Sequence, residues 1–408
     1  MTTNWNIADV FEAVAARVPE RPCQIHGERV VTWADFDARA DALAADLVAA
    51  GLTKQSKVAC YLYNGVEYME IMVAAFKAAM APVNTNYRYG PEEIFYLFDN
   101  ADAEAVVFHA SFTELLEGIR ERLTTVKRWY VVADASGAGP AWATPYEDVV
   151  TSGATLELTE WARDADDLLL LYTGGTTGMP KGVMWRQDDL FNVLGAGGSP
   201  LMGTGPAEDV DEVAARAAAS DDPPVMVVAC PLMHGTGQFS ALITMIGGGA
   251  VVSLADRSFS VEQLFATVEA RRATNVVIVG QAFAGPMLEF LDANPEAYDL
   301  SSIKVISSSG VMWSHDNKQG LLEHLPQALL FDSFGSSEAV GLGASVSGAG
   351  VAEQTAQFAI TENNAVFTDD GRRVEPGSGE MGMIAVGGFI PVGYYKDEAK
   401  SAATFRTI

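Results

Sequence analysis

The chain has 408 residues, more than one hydrophobic core usually serves, so one large α/β domain or two to three subdomains is expected. Apolar residues make up 49% and charged residues 19%, which excludes a wholly disordered chain. There are 26 lysines and arginines against 53 acids, a net charge of −27. Such a surface repels nucleic-acid backbones and anionic lipid, yet it leaves room for a locally positive pocket around an anionic substrate. The three cysteines, Cys23, Cys60 and Cys230, lack CxxC spacing and read as reduced, mostly buried thiols of a cytoplasmic protein. The N-terminus has neither the basic nor the apolar region of a signal peptide. The most apolar stretch, Gly65 to Val83, is interrupted by Glu67, Glu70 and Lys77, so no membrane span is expected.

In chain order, Ile7, Val10, Phe11, Val14 and Val18 share one helical face. A second helix is predicted from near Thr32, with Asp35 three residues on, to Gly51. Short apolar runs at Val58–Tyr63, Ala105–Phe108, Trp129–Ala133 and Leu168–Tyr172 then alternate with helical stretches. Residues 199–224 form a loop or helical excursion, and its Asp209, Asp211, Glu212, Asp221 and Asp222 read as a solvated surface. From Val225 the alternation is regular. Strands are predicted at Val225–Ala229, Val251–Leu254, Val276–Val279, Ile303–Ser307 and Leu329–Phe331, with helices such as Val261–Arg272 and Ser314–Leu325 between them. That is the pattern of βαβ units and largely parallel sheet. After Gly341 the sequence turns to Gly, Val and turn residues, which predicts a small β-rich subdomain. The approximate division is a first α/β part over 1–190, a second over 191–335 and a β-rich part over 336–408.

The stretch from Leu168 to Gly182 carries the strongest chemical signal. A buried strand runs directly into Thr173-Gly-Gly-Thr-Thr-Gly-Met-Pro-Lys181. Glycines let backbone N–H groups surround phosphate oxygens, threonine hydroxyls add donors, and Lys181 adds a mobile cation. A Walker A loop would run from Gly-Lys-Ser/Thr into a helix. Here Pro180 precedes the lysine, and Gly182-Val-Met-Trp185 reads as another strand.

This loop closely resembles the signature of the adenylate-forming superfamily, which includes acyl-CoA synthetases, luciferases and nonribosomal adenylation domains; Gly175 stands where that pattern usually has Ser. Further segments match in order: Phe76-Lys-Ala-Ala-Met-Ala-Pro82-Val-Asn84, Leu97-Phe-Asp-Asn100, Leu232-Met-His234-Gly-Thr-Gly237, and Asp332-Ser-Phe334-Gly335-Ser-Ser337-Glu338. Ser307-Ser-Ser-Gly310-Val-Met-Trp313-Ser and Pro391-Val-Gly-Tyr-Tyr-Lys-Asp-Glu are similar to actinobacterial acyl-CoA synthetases acting on sterol side chains. The resemblance implies two mixed or parallel sheets flanked by helices, with a small β-barrel-like unit. It implies ATP, Mg²⁺ and CoA as cofactor and co-substrates, and a medium- or long-chain or sterol side-chain carboxylate as the substrate. A homodimer is an open assembly state, and no nucleic-acid partner is implied.

By the same resemblance Thr173, Gly174, Gly175, Thr176, Thr177, Gly178 and Lys181 hold the β- and γ-phosphates, and Glu338 holds Mg²⁺. Ser337 keeps a hydroxyl for the α-phosphate, and Asp332 accepts from the adenine amino group. Phe334 is either an adenine-stacking ring or a buried core ring. Ser308, Ser309, Gly310 and Val311 line the adenine and the acyl carboxylate at a strand end, while Ser333, Gly335 and Ser336 complete the nucleotide wall. His234 lies near the substrate carboxylate, and Gly237, Phe239 and Gln281 shape the acyl pocket. Lys181, His234 and Glu338 are thus the catalytic candidates; His26, His109, His315 and His324 read as structural. Chains of this family continue into a ribose-binding Asp, a hinge and a small domain with a catalytic lysine. The expectation is therefore a large N-terminal domain that binds its substrates but scarcely turns them over. Two alternatives are an enzyme that loads a carrier protein and a non-catalytic ligand-binding relative.

Overall fold

The computed structural model describes residues 4–157, 159–174, 178–199, 203–349 and 357–407. Its strands form two eight-stranded mixed sheets and one two-stranded sheet. The first sheet runs β18(Gly393–Tyr394), β9(Lys181–Arg186), β8(Leu168–Thr173), β4(Ala81–Asn84), β3(Lys57–Tyr61), β5(Ala103–His109), β6(Arg128–Val132), β7(Thr144–Pro145). It is parallel from β8 to β7, with β9 and β18 added antiparallel at one edge. The second runs β15(Ala339–Ser347), β14(Leu329–Ser336), β13(Val305–Ser309), β12(Asn275–Ile278), β10(Val225–Val228), β11(Ala250–Ser253), β1(Pro22–His26), β2(Arg29–Thr32). It is parallel except at its two edges. Sheet membership crosses the sequence divisions: β1 and β2 join the second sheet, and β18 joins the first.

The expected barrel-like unit does not close. Strand β15 extends the second sheet and β18 the first, which among the described residues leaves β16(Asn364–Phe367) and β17(Met383–Val386) paired with each other. Two strands have no route to closure.

Apolar side chains sort into three cores. One lies between the sheets and takes in α1(Ile7–Arg17), α2(Trp33–Ala49), α3(Val66–Lys77) and α9(Gly235–Ile246). A second lies under α10(Val261–Arg271), α11(Gln281–Ala293) and α12(His315–His324), and the third under α4(Pro91–Asn100). The caps follow the sequence: Thr32 Oγ1 accepts from Asp35 N–H, and Ser314 Oγ accepts from Asn317 N–H. In the acidic excursion, Asp209 caps α8(Val210–Ala219), which packs on α1. All three cysteines are buried and free of disulfides.

Helix α3 is buried on every side, so its three charges must find partners. Arg29 bonds Glu67 at 2.7 Å; Arg39 at 2.7 Å and the Tyr146 hydroxyl at 2.8 Å satisfy Glu70. Lys77, with 2% of its side chain exposed, sits among Glu12 at 3.0 Å, Asp37 at 2.9 Å and Asp41 at 2.7 Å. Burial alone would lower its pKa, but Asp37, Glu12 and Asp41 outweigh this and raise it. The lysine's own contribution is therefore present below the ordinary lysine pKa and is lost as pH climbs through the raised value. Lys77→Met should destabilise the protein by about 3 kcal/mol at pH 7, because three carboxylates lose their shared cation. Denaturant unfolding should show part of that loss recovered at acidic pH, where Asp37, its pKa raised by burial, takes up a proton. A loss independent of pH would mean that packing, not charge, governs the cluster.

Candidate active site

The glycine-rich segment, the His234 segment and the 310–314 loop follow the carboxyl ends of β8, β10 and β13, where open α/β sheets bind ligands. Strands β8 and β9 pair antiparallel with Thr173 opposite Lys181, so the glycine-rich segment connects two paired strands. Gly174 and Gly178 lie within it, whereas Gly175, Thr176 and Thr177 lie outside the described residues. The Lys181 Nζ is 3.0 Å from Asp397 Oδ2 and 5.6 Å from the centroid of the Tyr394 ring. At the other end of the loop the buried Asn84 fixes β8. Its Oδ1 accepts from Tyr172 N–H at 2.5 Å, and its Nδ2 donates to Tyr172 O at 2.9 Å and to Met233 O at 2.6 Å. One amide thus ties the phosphate loop to the segment that carries His234.

The nucleotide candidates of the second sheet divide by environment. Ser308 is buried, and its hydroxyl accepts from Gly280 N–H at 2.8 Å. Gly280 has φ +51°, and a Cβ there would run into the Val311 carbonyl, so only glycine fits between these two loops. Ser309 pairs with Ser333 across β13 and β14; beyond it Gly310 turns the chain and leaves Val311 and Met312 exposed. Asp332 is buried, and its Oδ2 accepts from Lys318 Nζ at 3.0 Å. Phe334 is 41% exposed, so it is not a core ring, and Phe358 lies 5.4 Å from it, centroid to centroid. Gly335 sits at a register shift between Phe334 and Ser336. Ser336 then pairs with Ala339, which places Ser337 and Glu338 at the tip of a hairpin. The buried Trp185 of β9 donates from Nε1 to the Ser337 carbonyl at 3.0 Å, joining that tip to the first sheet. Glu338 Oε1 accepts from the Tyr394 hydroxyl at 2.8 Å.

His234 is the residue that caps the start of α9. Its ring borders solvent, yet the protein crowded around it and then the Arg88 charge hold its pKa below the ordinary histidine value. Gly237, in the first turn, lies so near the preceding segment that a Cβ would come within 2.7 Å of Pro231 O. Phe239 is buried and meets Trp185 edge-on at 6.5 Å. Gln281 Oε1 accepts from the Ser314 hydroxyl at 3.1 Å, which holds the 310–314 loop against α11.

Beside the His234 segment opens a cavity of about 460 Å³, lined in part by Tyr63, Tyr87, Arg88, Pro231 and Phe283. His26 and His109 reach its wall as well. His109 Nδ1 accepts from Tyr63 N–H at 3.2 Å, and burial pushes its pKa down to about 4. Sequence reasoning gave no role to Asn84, Trp185, Lys318, Tyr394 or Asp397, although Asn84, Tyr394 and Asp397 stood inside quoted motifs. Asn84→Ala would orphan a buried donor and two acceptors, so a stability loss of about 3 kcal/mol is expected. ATP affinity should weaken along with the loss of loop anchorage. Unfolding and calorimetric titration with ATP measure the two effects separately, and unchanged ATP affinity would uncouple Asn84 from the loop.

A family model described as AMP-binding enzyme matches residues 11–395. The chain is 36% identical to a medium/long-chain-fatty-acid–CoA/3-oxocholest-4-en-26-oate–CoA ligase of Mycobacterium marinum, across all of this chain and 74% of that protein. It is also 36% identical to a 3-oxocholest-4-en-26-oate–CoA ligase of Rhodococcus rhodochrous, across 98% of this chain and 73% of that one. Among solved structures, an anthranilate–CoA ligase in complex with anthranoyl-AMP superimposes with a TM-score of 0.83 at 17% identity, covering all of this chain and 74% of that one, a likeness of fold. With a family model spanning nearly its whole length, and relatives of this identity over almost every residue, the chain belongs to the AMP-binding enzyme family.

Proposed function

We propose that the chain is an ATP-dependent acyl-CoA ligase acting on a medium- or long-chain or sterol side-chain carboxylate. A carboxylate oxygen attacks the α-phosphorus of ATP and pyrophosphate leaves, giving the acyl-adenylate. The CoA thiol sulfur then attacks the acyl carbon, and AMP leaves with the acyl–oxygen bond electrons. The observation that supports this most is the convergence on Tyr394 of Lys181 from the first sheet and Glu338 from the second. A cation for phosphates and a carboxylate for a metal belong together in such a reaction, because the first step presses two anions against each other.

Glu338 suits Mg²⁺. Among the described residues no group of three or more His, Cys, Asp or Glu side chains gathers to hold a metal ion. A hard ion that keeps its waters and takes phosphate oxygens needs only one or two protein carboxylates. Bound there, Mg²⁺ would offset phosphate charge as the α-phosphorus is attacked. Lys181 supplies the second positive charge. Its partner Asp397 is half-exposed, so phosphate oxygens can replace it at low cost. His234, kept neutral at pH 7 by its lowered pKa, orients the substrate carboxylate rather than neutralising it. Phe334, exposed beside Phe358, offers a ring face to adenine. Asp332 Oδ2 already accepts from Lys318, which leaves Oδ1 with the greater capacity to accept from the base.

The cavity beside His234, about 460 Å³, falls within the ~300–1,000 Å³ of ordinary ligand pockets and is the space proposed for the acyl tail. We place the reaction in the cytoplasm, where ATP and CoA are available. Among the described residues no helix is long and apolar enough to cross a membrane.

Two measurements test this. Glu338→Gln should remove most of the tightening that Mg²⁺ brings to ATP binding and leave carboxylate affinity without nucleotide unchanged; calorimetry that finds the Mg²⁺ effect intact would place the metal elsewhere. For the acyl group, non-hydrolysable acyl-adenylate analogues with sterol side-chain, dodecanoyl and acetyl tails should bind in that order of preference. The two large tails should exceed acetyl by at least about 10-fold, since each buried methylene adds ~0.8 kcal/mol. Tightest binding of the acetyl analogue would reject a large-tail substrate.

A further inference from the structure

The segment that follows β17 and ends in Gly393–Asp397 returns to the first sheet and touches both charged groups of the site. Strand β18 pairs antiparallel with β9, Tyr394 opposite Val183, while Val392 N–H donates to Met184 O at 3.0 Å and Tyr395 N–H to Gly182 O at 2.8 Å. Lys181 lies two residues before Val183 and so on the same face of the sheet as Tyr394. That register explains why the lysine extends over the Tyr394 ring, within the ~6 Å reach of a cation–π contact. The hydroxyl at the far end of the same ring donates to Glu338 Oε1 at 2.8 Å. One side chain therefore touches the phosphate-loop cation with its face and the metal carboxylate with its tip.

Tyr394 is held too firmly to be an incidental neighbour. It is buried, its N–H donates to Ser401 Oγ at 2.8 Å, and Phe405 beyond α13(Glu398–Thr404) meets its ring edge-on at 5.6 Å. The next two residues anchor the strand from the other side. The Tyr395 hydroxyl bonds Asp102 Oδ2 at 2.8 Å, and Lys396 Nζ bonds Asp102 Oδ1 at 2.7 Å. A phenol O–H is a hydrogen-bond donor, and here it is spent on Glu338. A neutral donor on one oxygen fixes the direction of the other. Glu338 stands on a hairpin tip, and without that bond its carboxylate would sample several rotamers.

We infer that Tyr394 is a positioning residue for the metal and phosphate cluster: its hydroxyl aims the free oxygen of Glu338 and its ring sets the resting place of Lys181. Tyr394 can play that part only if Glu338 is the metal carboxylate proposed above. Tyr394→Phe keeps the ring, its packing and the lysine contact, and removes only the donor. Calorimetric titration of the protein with ATP, in Mg²⁺ and again in EDTA, should show the Mg²⁺-dependent gain in affinity reduced about 10-fold, the scale of one hydrogen bond to a charged group. Affinity in EDTA should hold within about two-fold. In a Glu338→Gln background the same substitution should have no further effect on the Mg²⁺-dependent gain, the signature of action through Glu338. A merely structural tyrosine would weaken ATP equally in Mg²⁺ and EDTA, and that result would overturn the assignment. So would an undiminished Mg²⁺ effect in Tyr394→Phe, or additive losses in the double variant. If the unaltered protein failed to bind ATP·Mg²⁺ at all, the ligase proposal itself would fall, a result distinct from each of these.

Discussion

Ordering a glycine-rich segment costs more conformational entropy than ordering any other, because glycine loses the most freedom. The ends of the segment proposed to hold phosphates are fixed by the strands that bear them, above all β9. Its first residue, Lys181, closes the loop opposite Thr173 on β8. Its outer edge receives β18, and with it Tyr394. Its buried Trp185 reaches across to the Ser337 carbonyl and fixes the hairpin tip of the second sheet. Three parts of the site, distant in sequence, therefore take their positions from one six-residue strand. Asn84 does the complementary work at the other end, where it satisfies both backbone groups of Tyr172 and a carbonyl beside His234.

Charge is distributed so that permanent and exchangeable pairs are separate. The protein carries a net charge of −27 and must still receive nucleotide, so each cation near the site matters. Lys77 and Lys318 lie buried against their carboxylates, and breaking either pair would strand a charge in the interior. Lys77 holds α3 to α1 and α2, and Lys318 holds α12 to β14. The Lys181–Asp397 pair is half-exposed and screened by water, which makes it weak enough for a polyphosphate to compete for the lysine. The same residue type is thus locked into the architecture where it is buried, and left open to a ligand in the proposed site where it is half-exposed.

Much of the element order was legible. Apolar runs and helical periods located most strands and helices within a few residues, since buried parallel strands read as continuous apolar segments. The phosphate loop and the hairpin before Glu338 were recognisable because their residue types are unusual together. What remained hidden were contacts made by one side chain across long sequence separations. No local pattern says that Asn84 meets Tyr172 and Met233, or that Tyr394 meets Glu338. Nor does a local pattern reveal that Asp332 is buried against Lys318, because that ion pair exists only once α12 packs beside β14. The β-rich end misled for a related reason. Turns and short strands look alike whether they close on themselves or add to the edges of existing sheets, and here β15 and β18 did the latter.

The distance between the two sheets is set by the core between them, and the site spans the two. Helix α3 fills that layer with no solvent-facing side, so the rigidity of its packing is transmitted to both sheets at once. Its three charges are consequently more than defects tolerated in an apolar helix. Glu67, Glu70 and Lys77 bond to β2, to α2 and to α1, which ties the layer's members together by directional contacts that hydrophobic packing alone does not provide. A site assembled from loop ends needs angstrom-scale alignment of elements that share no backbone. In this molecule an interior layer between the sheets holds those elements together. Trp185 and Asn84 then convert that alignment into the placement of individual side chains.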